Sequence, residues 1–202
     1  MTRLIFYMIF LIGFSPAMQA QNEGKFVYTE VIAGPGADAG QLYKTSLDWV
    51  ALHYTGQNTV VETRDPTHGY FKNTCSFKDT FKYIMPGSDN ASGSNYANIT
   101  ADVSYTLELQ VSAGKCLITI SGLRFKYFIP GNTLANLSDT AKTVARTFED
   151  QYQTVTTKMA DMPAQKKTWT DFFDSADRRL KAVISSYKKS IADAASDKGS
   201  AF

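Results

Sequence analysis

Two hydrophobic periods alternate along this chain, and the switches between them mark out its elements. From Lys25 to Ile32 aromatic and β-branched residues dominate; Ala33-Gly34-Pro35-Gly36 then halts any regular structure, which predicts a first strand and its exit loop. Asp38 stands three residues before Gln41, the D-x-x-Q form of a capping box, and Leu42, Tyr43, Leu47, Trp49, Val50 and Tyr54 recur at three-to-four spacing. A helix reaching about His53 follows from that pattern. Thr59 to Thr63 is β-branched, and Asp65-Pro66-Thr67-His68-Gly69 has the chemistry of a turn, with Pro where φ is preset and Gly where the chain bends. The next stretch splits by parity. Phe71, Cys75, Phe77, Phe81, Tyr83 and Met85 take one side, and Lys72, Thr74, Ser76, Lys78, Thr80 and Lys82 take the other, as in one long strand or two in line.

Pro86 to Asn98 is rich in Gly, Ser, Asn and Asp without apolar periodicity, and is expected to be a mobile loop. The clearest strand is Ala101 to Ser112. Val103, Tyr105, Leu107, Leu109 and Val111 point one way, and Asp102, Ser104, Thr106, Glu108 and Gln110 point the other. Ser112-Ala113-Gly114-Lys115 turns the chain into the apolar run Cys116 to Phe125, so these two strands are expected to pair antiparallel. The order β, α, then successive strands predicts an α+β fold: an antiparallel sheet with helices on a single face. Beyond residue 130 the pattern reads as helical. Leu137, Ala141, Val144, Phe148, Tyr152, Val155 and Met159 form one stripe, with Ser138 or Asp139 as cap. After Pro163 a second stripe runs through Trp169, Phe173, Ala176, Leu180, Ile184, Tyr187 and Ile191, with Thr168 or Thr170 as cap. One of these helices would complete the domain; the other would pack beside it or form a helical hairpin, a route to a homodimer through the C-terminal helices.

The first twenty residues stand apart. Arg3 is followed by the uncharged stretch Leu4 to Phe14 and by Ser15-Pro16-Ala17-Met18-Gln19-Ala20, where cleavage after Ala17 places Ser15 and Ala17 at the two small-residue sites and cleavage after Ala20 places Met18 at the outer one. This reads as a secretory signal, because spanning a bilayer takes about 20 apolar residues and this stretch is shorter. The domains expected are therefore a signal peptide over 1–20, an α+β domain over 21–130 and a helical region over 131–202. Export to the periplasm or cell envelope changes the reading of Cys75 and Cys116. In an oxidising compartment the two can pair as a disulfide, and as small buried thiols they can equally remain apart, since spacing along the chain does not set the Cα separation.

The chain has 202 residues, 44% hydrophobic and 13% aromatic, with 21 basic against 19 acidic side chains. Such a composition supports a folded core and argues against disorder, and it supplies no concentrated basic run for nucleic acid. Lys166-Lys167, Arg178-Arg179 and Lys188-Lys189 are interleaved with Asp171, Asp174, Asp177 and Asp193, which describes a solvated helix face. Candidate chemistry is sparse. The two histidines, His53 and His68, lie at a helix end and in a turn; Glu62, Asp65, Asp102 and Glu108 can be drawn together as carboxylates only if the sheet aligns them. No phosphate-binding, nucleophile-elbow, zinc or dinucleotide motif occurs, so no catalytic residue, cofactor or metal is assigned.

Leu42-Tyr43 and Trp49-Val50 on the first helix, Asp65 to Gly69, and Ser104-Tyr105-Thr106-Leu107-Glu108-Leu109-Gln110-Val111 leading through Gly114-Lys115 resemble the DUF4468 family. The likeness covers roughly residues 25 to 128. It implies an exported domain of Bacteroidetes with a TBP-like β-α-β(4)-α fold and, because the family has no established activity, it transfers no functional residue. The expectation for function is a non-enzymatic binding module in the envelope, with Tyr70, Lys72, Lys78 and Lys82 on the outward parity available for contact. The alternative is a carrier of a small apolar ligand between sheet and helix, lined by Phe71, Phe77, Phe81 and Tyr83. An unknown envelope protein or such a ligand is the expected partner; nucleic acid is not, since Asp102 and Glu108 sit on the exposed strand face.

Overall fold

The computed structural model describes residues 26–54, 60–84, 96–129 and 142–196. The proposed signal segment, the centre of the predicted Gly/Ser/Asn loop and the caps Ser138 and Asp139 lie outside these residues.

Strand β1 (Tyr28–Ala33) leads into helix α1 (Ala39–His53). Asp38 caps that helix: its Oδ1 accepts the Gln41 amide at 2.8 Å, in line with the sequence pattern. Four strands follow, β2 (Val60–Asp65), β3 (Tyr70–Ile84), β4 (Tyr96–Ser112) and β5 (Lys115–Ile129). The β2–β3 turn depends on Gly69, whose φ is +63°. A Cβ there would clash with the Val111 carbonyl oxygen, and the Gly69 carbonyl accepts the Val111 amide at 2.8 Å. Every strand pair is antiparallel, in the order β1-β5-β4-β3-β2.

Tyr96 to Asn98 belong to β4, not to a loop: the strand runs back past Ile99, which is buried opposite Phe81 of β3. The first C-terminal stripe is not one helix. Lys142–Thr147 form a sixth strand, β6, paired with Arg124 to Ile129 of β5, and helix α2 is confined to Phe148–Lys158. In β6 alternate residues face inward, so Val144 lies opposite Tyr127; within α2 the period becomes 3.6, and Phe148 and Val155 are buried. A three-to-four spacing that straddles such a junction imitates one continuous helix. Thr147 caps α2, accepting the Asp150 amide at 3.0 Å.

Gly122, with φ +63°, explains how one long β5 serves two partners. It lies where the β4–β5 register slips. Before it, Cys116, Ile118 and Ile120 face inward and the strand pairs with β1; after it, Leu123, Phe125 and Tyr127 face inward and the strand pairs with β6. The two short strands thus share one side of β5. Phe148 enters the core where β6 ends and meets Phe26 just ahead of β1, with ring centroids 5.2 Å apart.

Helix α3 (Pro163–Ser196) starts at Pro163, where a missing amide costs nothing. Thr168 and Thr170 are therefore inside the helix; their hydroxyls bond back to the Ala164 and Lys166 carbonyls. Over 34 residues, about 51 Å of helix, α3 buries Trp169, Phe172, Phe173, Ala176, Leu180, Ile184, Tyr187 and Ile191. These residues pack against the inner sheet face beside Leu42, Trp49 and Val50 of α1. All three helices lie on that one face, which makes α3 part of the domain core.

Candidate functional site

The strongest nucleophiles in this chain are two buried thiols, Cys75 and Cys116. Cys75 lies opposite Tyr105, whereas Cys116 lies opposite Val111. Two strand spacings and six residues along β4 place them on the order of 20 Å apart, beyond the ~7 Å reach of a disulfide. They are free thiols, and the disulfide alternative is set aside. Each sits in its own hydroxyl cluster. Cys75 is held with Tyr54 and Tyr105, whose hydroxyls are 2.9 Å apart, and receives the Asn73 amide at 3.7 Å. Cys116 neighbours Ser46 and Tyr187, whose hydroxyl oxygens are 2.7 Å apart, and Ser46 donates to the Leu42 carbonyl.

Burial pushes the Cys75 thiol up to about 12 and the Cys116 thiol in the same direction. Desolvation likewise raises Tyr54, Tyr105 and Tyr187. A thiol without its thiolate neither attacks nor ligates a metal, so these clusters tie α1 and α3 to the sheet. They escaped the sequence reading because Tyr54, Ser46 and Tyr187 reach the cysteines only through tertiary packing.

The ionisable residues singled out from the sequence do not converge. His53 stacks on Trp49 at 5.1 Å, and partial burial lowers its pKa, which favours a neutral ring. His68 bonds Asp65 at 2.7 Å in the β2–β3 turn; that hydrogen bond holds the Asp65 carboxyl below its usual range. Glu108 pairs with Lys72 at 3.7 Å. Asp102 lies six positions from Glu108 on the same strand, about 20 Å away. Glu62 falls on β2. Among the described residues no group of three or more His, Cys, Asp or Glu could hold a metal, and no helix is long and apolar enough to cross a membrane.

What the fold does present is a sheet face that no helix covers among the described residues. Lys72, Lys78 and Lys82 of β3 and Arg124 and Lys126 of β5 flank Asp102 and Glu108 of the central β4, and Asp102 lies between Lys78 and Lys126 in register. Thr74, Ser76, Thr80, Thr100, Ser104 and Thr106 fill the intervening positions. Tyr70 is half-buried at one end. Cations outnumber acids on these three strands, so the face carries a net positive charge. A shallow hollow of about 410 Å³ opens on it between Asp102, Ser104, Arg124, Lys126 and Thr147. A second hollow, about 610 Å³, lies at the sheet edge, between Thr80 to Lys82 of β3 and Ala164, Lys167, Thr168 and Asp171 at the start of α3; Phe81 and Phe172 form its floor. The inner face itself is filled. Phe81 packs on Trp169 at 5.1 Å and on Phe172 at 4.9 Å, and Phe125 packs on Phe148 at 5.4 Å.

An antiparallel sheet gripped by helices from one side defines the class: an α+β domain of TBP-like fold. Residues 28–126 match the family described as "Domain of unknown function (DUF4468) with TBP-like fold", and this stretch of the chain belongs to that family. Among solved structures the chain is similar to a DUF4468 family protein from Bacteroides ovatus, at 17% identity over 80% of this chain and 86% of that one, with a TM-score of 0.47. It is also similar to a TBP-like protein from Parabacteroides distasonis, at 12% identity over 82% of this chain and 94% of that one, again with a TM-score of 0.47. No curated protein matches the chain.

Proposed function

We propose that the chain is an exported, non-enzymatic binding module of a bacterial cell envelope and that its partner docks on the uncovered sheet face. The observation that carries this reading is the asymmetry of the sheet: α1, α2 and α3 occupy one side, and the other side displays an ordered lattice of Lys, Arg, Thr and Ser. A binding surface requires complementarity, not a titrating constellation, and this face suits a partner of net negative charge. Its cations are spread across two strands with Asp102 and Glu108 between them, which suits a protein or glycan surface better than a phosphodiester backbone. Export rests on the Arg3, Leu4 to Phe14 and Ser15 to Ala20 pattern.

The test is capture from envelope extracts with the mature chain and with a Lys72→Glu/Lys78→Glu/Lys126→Glu variant. Loss of the captured partner in the variant, with an unchanged melting temperature, supports the reading. Equal capture by both chains, or none by either, counts against it. The carrier alternative has less support, because the aromatic residues that would line an interior pocket instead pack on one another. Native mass spectrometry of the purified chain separates the two readings: a co-purifying apolar ligand would favour the carrier.

A further inference from the structure

Along the outer parity of β5 lie Arg124, Lys126 and Phe128 in turn. All three are exposed, and Phe128, at 54%, sets a large aromatic ring on a region of short hydroxyls and charges. Arg124 has Ser104 of β4 on one side and Thr147 of β6 on the other; Lys126 has Asp102 and Ala145 in the same way. The hollow of about 410 Å³ opens here, because Ala145 sends nothing beyond its Cβ into the space across from Lys126. Asp150, in the first turn of α2, adds a second carboxylate to the lining. Among the described residues no ion pair ties down Arg124 or Lys126.

We propose that the hollow and the line from Arg124 to Phe128 bind an acidic glycan, a sugar chain bearing uronic carboxylates. The inference rests on the open face as the binding surface and names the class of partner there. Both signs of charge in one lining select among anions. A phosphodiester chain offers negative groups alone and meets Asp102 and Asp150 with like charge. A uronic acid offers both kinds of group: a carboxylate for the planar fork of Arg124, and hydroxyls that donate to Asp102 and Asp150 in charge-assisted bonds. An acidic protein segment brings the carboxylates without those donors. The hollow has the volume of a small-ligand site, and Arg124 stands four positions from Phe128 on one strand, about 13 Å away, so a chain and not a single sugar reaches both. The ring of Phe128 presents its negative face to the weakly positive C–H edges of a sugar.

The experiment is an NMR titration of the ¹⁵N-labelled mature chain with trigalacturonate and with a hyaluronate tetrasaccharide. Its controls are the methyl ester of trigalacturonate, which keeps the hydroxyls and loses the charge, and triglutamate, which keeps the charge and loses the sugar. Expected are saturable shifts at Asp102–Ser104, Arg124–Phe128 and Ala145–Asp150 with an acidic glycan, and binding about tenfold weaker for either control and for Arg124→Gln. Phe128→Ala should weaken the oligosaccharide and leave monomeric galacturonate unaffected. Asp102→Asn reads the mode of binding: a weaker complex is expected where Asp102 accepts sugar hydroxyls, whereas a tighter one would reduce the site to bare charge attraction and overturn the proposal. Each of these exposed variants should melt with the parent chain. Triglutamate binding as well as the glycans would make an acidic protein segment the occupant, and no saturable shift with either glycan at millimolar concentration overturns the proposal. Should the glycans fail while envelope capture still responds to Lys72→Glu/Lys78→Glu/Lys126→Glu, this inference falls and the reading of the face as a binding surface stands.

Discussion

On β4, Leu107 and Glu108 are neighbours in sequence and opposites in circumstance. Leu107 is fully buried beneath the helices, in a row with Val103, Tyr105 and Leu109, whereas Glu108 faces outward and pairs with Lys72, across a 3.7 Å gap. The same contrast runs the length of the sheet. On the inner side each side chain is constrained by the shapes around it; on the outer side charge and polarity matter more than volume, and that freedom leaves the face available for recognition.

The largest break in this contrast should come from the helix that creates it. Leu180→Asp places an unpaired carboxylate in a fully buried site on α3, and a cost above about 4 kcal/mol should leave a chain without a cooperative melting transition by circular dichroism. Next comes the direct pair. Leu107→Ala should lower stability in urea by about 2–5 kcal/mol, and Glu108→Ala by about 0–1 kcal/mol. Equal losses at the two positions would show that the outer face is covered in solution.

Alkaline pH probes the hydroxyl and thiol clusters. The folded-state pKa of Cys75 is raised from 9.0 to about 12. Between those values the folded chain keeps a proton that the unfolded chain has released, so the contribution is intact below pH 9 and falls away as pH rises toward 12. Tyr54, Tyr105 and Tyr187 shift in the same direction and add to it. The urea midpoint should therefore fall above pH 9, with the tyrosinate absorbance of these residues appearing only on unfolding. A thiol reagent at pH 8 should leave both cysteines unmodified until urea is added. The smallest effect concerns a single helix end: Asp38→Ala removes the 2.8 Å cap of α1 and should cost about 1 kcal/mol.

Legibility from the sequence followed the range of the physics. The Asp38 cap, the Asp65 to Gly69 turn, the alternation of β3 and β4 and the α3 stripe are local patterns, and the structure has each of them. Strand β6 was hidden, because its six residues adjoin α2 and the combined spacing resembles one helical stripe. The extension of β4 back to Tyr96 was hidden as well, since Asn98 and Thr100 face outward and only Ile99 marks the buried parity. The hollow at the sheet edge had no sequence signal, because it joins residues near 81 to residues near 168.

Local chemistry alone therefore determined where this chain turns, where its first helix begins, and which side of β3 and β4 avoids water. Backbone conformation and solvent preference are properties of short stretches, and they survive without knowledge of the rest. Tertiary structure alone decided that β1 and β6 share β5 across Gly122, that Cys75 and Cys116 stay apart, and that each thiol meets its own pair of hydroxyls. Each of these depends on distances between segments far apart in sequence, which are set when α3 and α1 close over the sheet.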